Sequence, residues 1–97
     1  MSNIMIDKND YNETKLFAGF SGKTLPFEPI EEISIEKAEQ LPSYLEGKYD
    51  SQGRLTILIK YINGKIYFRQ EIQYKDGEKF KVIYTDPDGK VTEKLIE

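Results

Sequence analysis

Four short turn signals divide the second half of the chain into runs of strand-forming residues. The signals are Ser51-Gln52-Gly53, Asn63-Gly64, Lys75-Asp76-Gly77 and Asp86-Pro87-Asp88-Gly89. The runs between them are rich in Ile, Val, Tyr, Phe and Thr, which are the residues that favour strands. Five strands joined by four tight turns predict one antiparallel β-meander from Tyr44 to Ile96.

The Asn63-Gly64 turn predicts how the second and third strands of this meander pair. Asn-Gly is typical of a two-residue type I′ hairpin loop, in which both residues take a positive φ. Counting outward from the loop places Ile59 opposite Phe68 and Ile57 opposite Gln70. Because side chains alternate along a strand, these residues are expected to share one face of the sheet.

The Lys75-Asp76-Gly77 turn predicts how the third and fourth strands of the meander pair. A two-residue Asp76-Gly77 loop would place Lys81 opposite Ile72 on the buried face. This register is disfavoured because it buries a charged side chain. A three-residue loop with Gly77 in the left-handed conformation pairs Ile72 with Phe80 instead. Apolar residues from all five strands then lie on one inner face, and this agreement predicts a single core there.

The N-terminal half is expected to cover the inner face. Thr14 to Phe20 is predicted to form a strand, and Ser34 is predicted to cap a short helix over Ile35 to Leu41. The predicted fold is α+β: a five-stranded antiparallel β-meander, with an N-terminal strand and one short helix covering one face. Residues 1–13 are predicted to be a flexible N-terminus, and residues 14–97 a single domain.

The composition argues against catalysis. The chain has no Cys and no His, so it lacks disulfides, thiolate ligands, the usual zinc ligand and the usual general base. The Gly22-Lys23-Thr24 segment lacks the first glycine of a phosphate-binding loop, because Phe17 stands at that position. The Asp86–Gly89 turn offers too few ligands for a calcium loop. We therefore expect no enzyme activity, no metal and no cofactor.

Charge and hydropathy narrow the choice of partner. The formal net charge is −3; residues 1–47 carry nine acids and four bases, and residues 48–97 carry eight acids and ten bases. An acidic chain of this kind is not expected to bind nucleic acid. No apolar run approaches the roughly 20 residues that span a bilayer, and the polar N-terminus does not resemble a signal peptide. The expected location is the cytoplasm, without a membrane partner.

The outer face of the predicted sheet supplies the predicted binding surface. By the pairings above it carries Leu58, Lys60, Tyr67, Arg69, Lys81 and Ile83. Arg and Tyr beside exposed aliphatic residues are typical of the centres of protein interfaces. The alternative is an ordinary solvated face with cross-strand charge pairs, such as Glu71 with Lys81. The binding surface requires Ile59, Phe68 and Val82 all to point to the inner face.

A polar residue interrupts the inner face. One predicted row across the strands consists of Gly47, Ile57, Gln70, Val82 and Glu93. Gln70 lies in the middle strand, and a buried amide needs hydrogen-bond partners. Either the backbone of a covering loop supplies them, or the row forms the floor of a small pocket.

Three features of the sequence resemble known families. Tyr49-Asp50-Ser51-Gln52-Gly53-Arg54-Leu55-Thr56 resembles one unit of the Tyr-Asp repeats that build β-shells in large bacterial surface and toxin proteins. The recurring aromatic residue, turn and Gly-Lys or Gly-Glu are similar to MORN-variant repeats of small bacterial proteins, some of which are labelled antitoxins. Phe17-Ala18-Gly19-Phe20-Ser21-Gly22 and Leu25-Pro26, together with Tyr49–Leu55, resemble a family of small bacterial proteins of unknown function. That resemblance implies a bacterial or phage source and supplies no catalytic residues.

These observations predict a non-catalytic protein-binding module of the inhibitor, immunity or antitoxin kind. It is expected to bind another protein through the outer sheet face or an edge strand. Two alternatives stay open. One is a saccharide- or nucleotide-binding module that uses Tyr67 and the basic residues, or the Gln70 region. The other is a structural homo-oligomer that pairs through the edge Val91–Ile96 or Leu16–Phe20.

Overall fold

The computed structural model describes residues 13–96. Within them lie seven strands and one helix: β1 (Glu13–Ser21), β2 (Glu28–Ile33), α1 (Ile35–Glu39), β3 (Ser43–Tyr49), β4 (Leu55–Ile62), β5 (Lys65–Lys75), β6 (Glu78–Thr85) and β7 (Val91–Leu95). These strands form one antiparallel sheet in the order β2-β1-β3-β4-β5-β6-β7. The predicted meander is present as β3 to β7, but the predicted total of five strands is wrong. The predicted flexible N-terminus lies outside the described residues, apart from Glu13.

The N-terminal strand extends the sheet and does not cover it. β1 pairs with β3 on one side and with β2 on the other. The prediction that this strand covers one face is therefore wrong. The physical reason is that the outer edge of β3 would otherwise leave a row of unpaired backbone groups, which β1 satisfies. Pro29 lies on β2, at the far edge of the sheet, where a proline removes no hydrogen bond that the sheet needs.

A first face of the sheet carries the main core. Its buried cluster consists of Phe17, Leu45, Leu55, Leu58, Phe68, Ile72 and Val82. Phe20 at the end of β1, with Leu25 and Phe27 of the following loop, packs against this cluster. The cover of the core therefore consists of the end of β1 and the loop that follows it.

A second, opposite face is only partly covered, and α1 lies on it. Ser34 caps the helix as predicted, and its Oγ accepts a hydrogen bond from the backbone N–H of Lys37 at 3.1 Å. The helix contacts β1, and both Ala38 and Leu16 are buried outside the main cluster. Because Leu16 and Phe17 are consecutive in a strand, they point to opposite faces. The helix therefore covers one end of the second face, not the apolar face for which it was predicted.

A β-bulge changes the pairing of β4 with β5. Asn63 and Gly64 form the predicted turn, with φ of 51° and 80°, and the pairing next to the turn is as predicted. Tyr67 is then an extra residue on β5, so Lys60, and not Ile59, lies opposite Phe68. One extra residue reverses which face every following side chain occupies.

The bulge exchanges the residues of β4 between the two faces. Leu58 lies opposite Gln70 in the core and is 0 % exposed, whereas Ile57 and Ile59 lie on the second face. Placing Ile59 on one face with Phe68 and Val82 is therefore wrong. The predicted binding surface depended on that placement and does not exist in its predicted form.

A second bulge acts between β5 and β6. Asp76 and Gly77 form a two-residue loop with φ of 54° and 82°, so the predicted three-residue loop is wrong. Phe80 is an extra residue on β6, and beyond it Ile72 pairs with Val82. The predicted pair of Ile72 with Phe80 is thus wrong, although the prediction of an inner face for Val82 is confirmed. The bulge, rather than the loop length, keeps Lys81 away from the core.

Candidate protein interface

Two of the predicted binding residues belong to the first face. Leu58 is fully buried in the core, so its predicted exposure on the outer face is wrong. The Nζ atom of Lys60 lies 5.4 Å from the ring centre of Phe20 and 5.5 Å from that of Tyr67. A lysine held over two aromatic rings gains a cation–π attraction. Lys60 therefore belongs to the aromatic cover of the core.

Tyr67 is separated from the other predicted binding residues by the bulge that it forms. Its side chain is 43 % exposed, and its ring centre lies 6.4 Å from that of Phe68. It thus adjoins Lys60 and the aromatic residues of the first face. An exposed tyrosine at this place does not extend the surface around Arg69.

Arg69, Lys81 and Ile83 do lie together on the second face, as predicted. The Nη1 atom of Arg69 lies 3.4 Å from Oε1 of Glu71, and the Nζ atom of Lys81 lies 2.8 Å from Oε1 of Glu93. The predicted pair of Glu71 with Lys81 is therefore replaced by two other pairs. Exposed ion pairs of this kind are worth less than about 1 kcal/mol each.

The buried amide of Gln70 has a structural role. Its Oε1 atom accepts a hydrogen bond from the backbone N–H of Phe27 at 2.7 Å, and its Nε2 atom donates to the Phe27 carbonyl at 3.1 Å. This confirms that the backbone of a covering loop supplies the partners of Gln70. The predicted row is split, because Glu93 lies opposite Ile83 on the second face.

A buried carboxyl group on the second face was not predicted from the sequence. Glu46 is 4 % exposed, and burial raises its pKa, although Lys48 and a hydrogen bond with Tyr61 act in the opposite direction. Burial, with the nearby charge of Glu46, raises the pKa of Tyr61 to about 12. The ring of Tyr44 stacks on that of Tyr61 at a centroid distance of 5.2 Å. The arrangement holds a carboxyl group among aromatic rings next to the covered end of this face.

The two edges of the sheet differ in how they are protected. At one edge, β2 contains Pro29, a positive φ of 63° at Glu31, and two further glutamates, Glu28 and Glu32. At the other edge, β7 pairs with β6 without a register shift and is exposed along its whole length. Within residues 13–96, the outer side of β7 has no strand beside it. Among the described residues, the outer backbone groups of β7 are therefore left without a strand partner.

The hydrogen bonds at the two ends of β7 show which backbone groups face outward. The N–H of Asp86 donates to the carbonyl of Lys90, and the N–H of Ile96 donates to the carbonyl of Phe80, both at 2.9 Å. In an antiparallel pair, alternate residues direct their N–H and C=O toward the neighbouring strand. Even-numbered residues of β7 thus bond to β6. The odd-numbered residues Val91, Glu93 and Leu95 direct their backbone groups away from the sheet.

The side chains of those odd-numbered residues lie on the second face, beside the predicted residues Lys81 and Ile83. Val91 is 58 % exposed and Leu95 is 63 % exposed. A shallow depression of about 280 Å³ is lined by Lys81, Glu93 and Leu95. We define the β7 edge site as the outer backbone of β7 with the side chains of Val91, Glu93 and Leu95. It joins an exposed apolar pair to unpaired backbone donors and acceptors.

The described residues show no arrangement for metal chemistry. Among residues 13–96, no three carboxylate, His or Cys side chains come close enough to hold a metal ion. In the same part of the chain, no helix has the length and apolar character needed to cross a membrane.

Comparison with known proteins places the chain in a family. The model of a family of unknown function, DUF6156, matches residues 9–93. The chain belongs to this family. The match confirms the resemblance to a family of unknown function that was drawn from the sequence, and it spans β1 to β6 and the first part of β7. No curated protein and no solved structure matches the chain.

Proposed function

We propose that the chain is a non-catalytic binding module that takes an extended segment of protein along the β7 edge site. The observation that carries the proposal is an edge strand of five residues that is fully exposed and has no proline and no bulge. Such an edge is a template for pairing with another strand. Addition of a strand to an exposed sheet edge is a recurring mode of protein recognition.

The difference between the two edges supports a binding role for β7. Natural sheets protect edge strands with proline, irregular backbone and charge, and β2 has all three. β7 carries Lys94, but its Nζ atom donates to the carbonyl of Leu25 at 3.2 Å. The lysine therefore lies over the first face and does not screen the outer side of the strand.

The β7 edge site offers two kinds of interaction to a partner strand. Each of Val91, Glu93 and Leu95 provides one backbone donor and one acceptor. Val91 and Leu95, separated by about 13 Å along the strand, provide apolar contacts on the second face. A suitable partner segment is extended and has apolar side chains at the matching positions. Such a module suits the inhibitor, immunity or antitoxin kind of protein, because it blocks a partner without chemistry.

A photo-crosslinking residue placed at Leu95 tests the proposal, with the same residue at Ile30 on the β2 edge as the matched control. Ile30 is also exposed, at 47 %. After irradiation in an extract of the source cells, we expect a crosslinked protein from position 95 and none from position 30. The crosslinked peptide is then synthesised and titrated into the isotope-labelled chain. Its binding should shift the amide resonances of Val91, Glu93 and Leu95.

Two substitutions complete this test. Leu95→Lys is expected to weaken binding of that peptide at least tenfold, because it replaces an apolar contact with a charge, while Ile30→Lys leaves the affinity unchanged. Equal crosslinking from both edges would contradict the proposal. So would a peptide whose shifts lie away from β7.

A further inference from the structure

We infer that the segment that occupies the β7 edge site is β7 of a second copy of this chain. The two strands pair antiparallel about a two-fold axis that passes between the two Glu93 residues. The inference rests on the proposed function, because it uses the same edge. It is more specific, because it names the partner and the register.

The backbone of β7 is complementary to itself about Glu93. In this register Glu93 lies opposite Glu93 of the second copy, and Val91 lies opposite Leu95 of the second copy. All of these residues direct their N–H and C=O outward, so the opposed residues can exchange hydrogen bonds across the axis. The interface is isologous, as closed dimers require.

The exposed side chains match in the same register. Val91 and Leu95 stand at equal distances on either side of Glu93 and on the same face. The two-fold axis therefore places Val91 of one copy against Leu95 of the other copy at both ends of the paired strands. Two residues that are 58 % and 63 % exposed in one chain then cover each other.

Charge distinguishes this register from its neighbours. A pair centred on Thr92 would place Lys90 opposite Lys94, and a pair centred on Lys94 would place two Lys94 side chains together. Like charges directly opposite each other are destabilising. The register centred on Glu93 also opposes two glutamates, but each has the Nζ atom of its own Lys81 at 2.8 Å. That cluster of two acids and two bases is neutral as a whole.

The dimer would join two seven-stranded sheets into one. The second faces of both copies lie on the same side, so Lys81, Ile83 and the Val91–Leu95 pairs form one continuous surface. Contact along two strands of five residues is small compared with the roughly 1,600 Å² of a standard stable interface. We therefore expect a dimer that dissociates on dilution.

Light scattering over a hundredfold range of concentration measures the first consequence. The mass is expected to rise from the 11.3 kDa of one chain toward twice that value. Leu95→Lys should keep the chain monomeric over the same range, and Ile30→Lys on the opposite edge should behave as the unmodified chain does. Circular dichroism of each variant checks that the fold is retained.

Single cysteines measure the register, since the chain has no cysteine of its own. Glu93→Cys places two thiols opposite each other with Cα atoms about 5.5 Å apart, which suits a disulfide. Thr92→Cys keeps its thiols too far apart in this register. Under mild oxidation we expect Glu93→Cys to form disulfide-linked dimers at least five times faster than Thr92→Cys.

The outcomes separate this inference from the proposed function. A chain that stays monomeric at all concentrations, with no disulfide from Glu93→Cys, overturns the second copy as occupant. Crosslinking of a different protein from Leu95 would then still support the β7 edge site. Faster linkage of Thr92→Cys than of Glu93→Cys would overturn the stated register, and crosslinks from neither edge would overturn the proposed function itself.

Discussion

The two faces of the sheet bury polar groups in opposite ways. On the first face, Gln70 is fully buried and uncharged, and both ends of its amide bond to the Phe27 backbone. On the second face, Glu46 is nearly as buried, but it is ionisable and its pKa is raised by burial. A neutral group with both partners can close a core, whereas a buried carboxyl group is costly when charged. The first face is therefore a sealed interior, and the second is a surface that is only partly covered.

The two faces also differ in the residues that cover them. On the first face, the ring of Phe68 lies within 5.3–5.6 Å of the rings of Phe20, Phe27 and Tyr84. On the second face, the cover is the five-residue helix α1 at the β1 end. Among the described residues, α1 packs mainly against β1 and does not extend over β5 to β7. Among residues 13–96, the main buried cluster and its aromatic cover therefore lie on one side of the sheet, and α1 covers the other side at the β1 end.

The substitution Leu58→Ala gives the largest expected effect on this contrast. Removal of a fully buried leucine side chain costs about 2–5 kcal/mol of unfolding free energy. The matched control, Ile83→Ala on the open second face, should cost less than about 1 kcal/mol because the residue is half-buried. Urea denaturation of both variants measures the difference. Equal costs would contradict the placement of Leu58 in the core, where it lies opposite Gln70 and Gly47.

Gln70→Leu tests how the first face is sealed. The leucine keeps the volume, but the N–H and C=O of Phe27 lose their partners, and we expect a cost of about 2–3 kcal/mol for the unsatisfied groups. Gln73→Leu on the second face is the control and should stay within about 0.5 kcal/mol. Hydrogen exchange gives a second measurement, because the Phe27 amide should exchange faster in Gln70→Leu. Unchanged protection of that amide would show that Gln70 does not hold the loop.

The sequence predicts the positions of the turns because each turn depends on local backbone chemistry, although it gave the wrong length for the Asp76-Gly77 loop. Asn63-Gly64 and the Ser34 cap lie where they were expected. The bulges were missed because their extra residues, Tyr67 and Phe80, are aromatic residues that also suit a regular strand. One signal was available. Ile57-Leu58-Ile59 is a run of consecutive aliphatic residues, which is typical of a strand buried on both faces.

Three of the six residues predicted for the binding surface share a face in the structure, for a similar reason. Arg69 lies on β5, and Lys81 and Ile83 lie on β6. The bulge at Phe80 offsets the shorter two-residue loop, so Lys81 and Ile83 keep the face that the predicted three-residue loop gave them. Leu58 and Lys60 lie on β4, beyond the bulge that reverses it. The place of β7 at an edge follows from strand order alone, and that edge was among the expected binding sites. Glu46 lies between Leu16 of β1 and Ile59 of β4, and local patterns do not specify which strands become its neighbours.

Glu46→Gln tests the second face through the pH dependence of stability. The pKa of Glu46 is raised in the folded state, so the folded chain holds this proton more tightly than the unfolded chain. Unfolding free energy therefore falls as the pH rises from about 4.5, the ordinary value, through the raised pKa. Glu46→Gln should remove this part of the fall, whereas Glu71→Gln on the same face should keep it. Denaturation at several pH values measures both slopes, and identical slopes for the two variants would contradict the burial of Glu46.

Lys81→Met gives the smallest expected effect on folding and the sharpest test of what the second face does. The exposed pair of Lys81 with Glu93 should contribute less than about 0.5 kcal/mol to the stability of the dilute monomer. The same limit applies to Lys79→Met, a matched control whose Nζ atom lies 2.9 Å from Oε1 of Glu28, away from β7. Self-association should separate the two variants. Lys81→Met leaves two opposed glutamates without their lysines and should weaken the dimer about tenfold, since like charges across a strand pair repel. If both variants associate as the unmodified chain does, the Lys81–Glu93 pair has no part in the interface, and the register centred on Glu93 loses its electrostatic support.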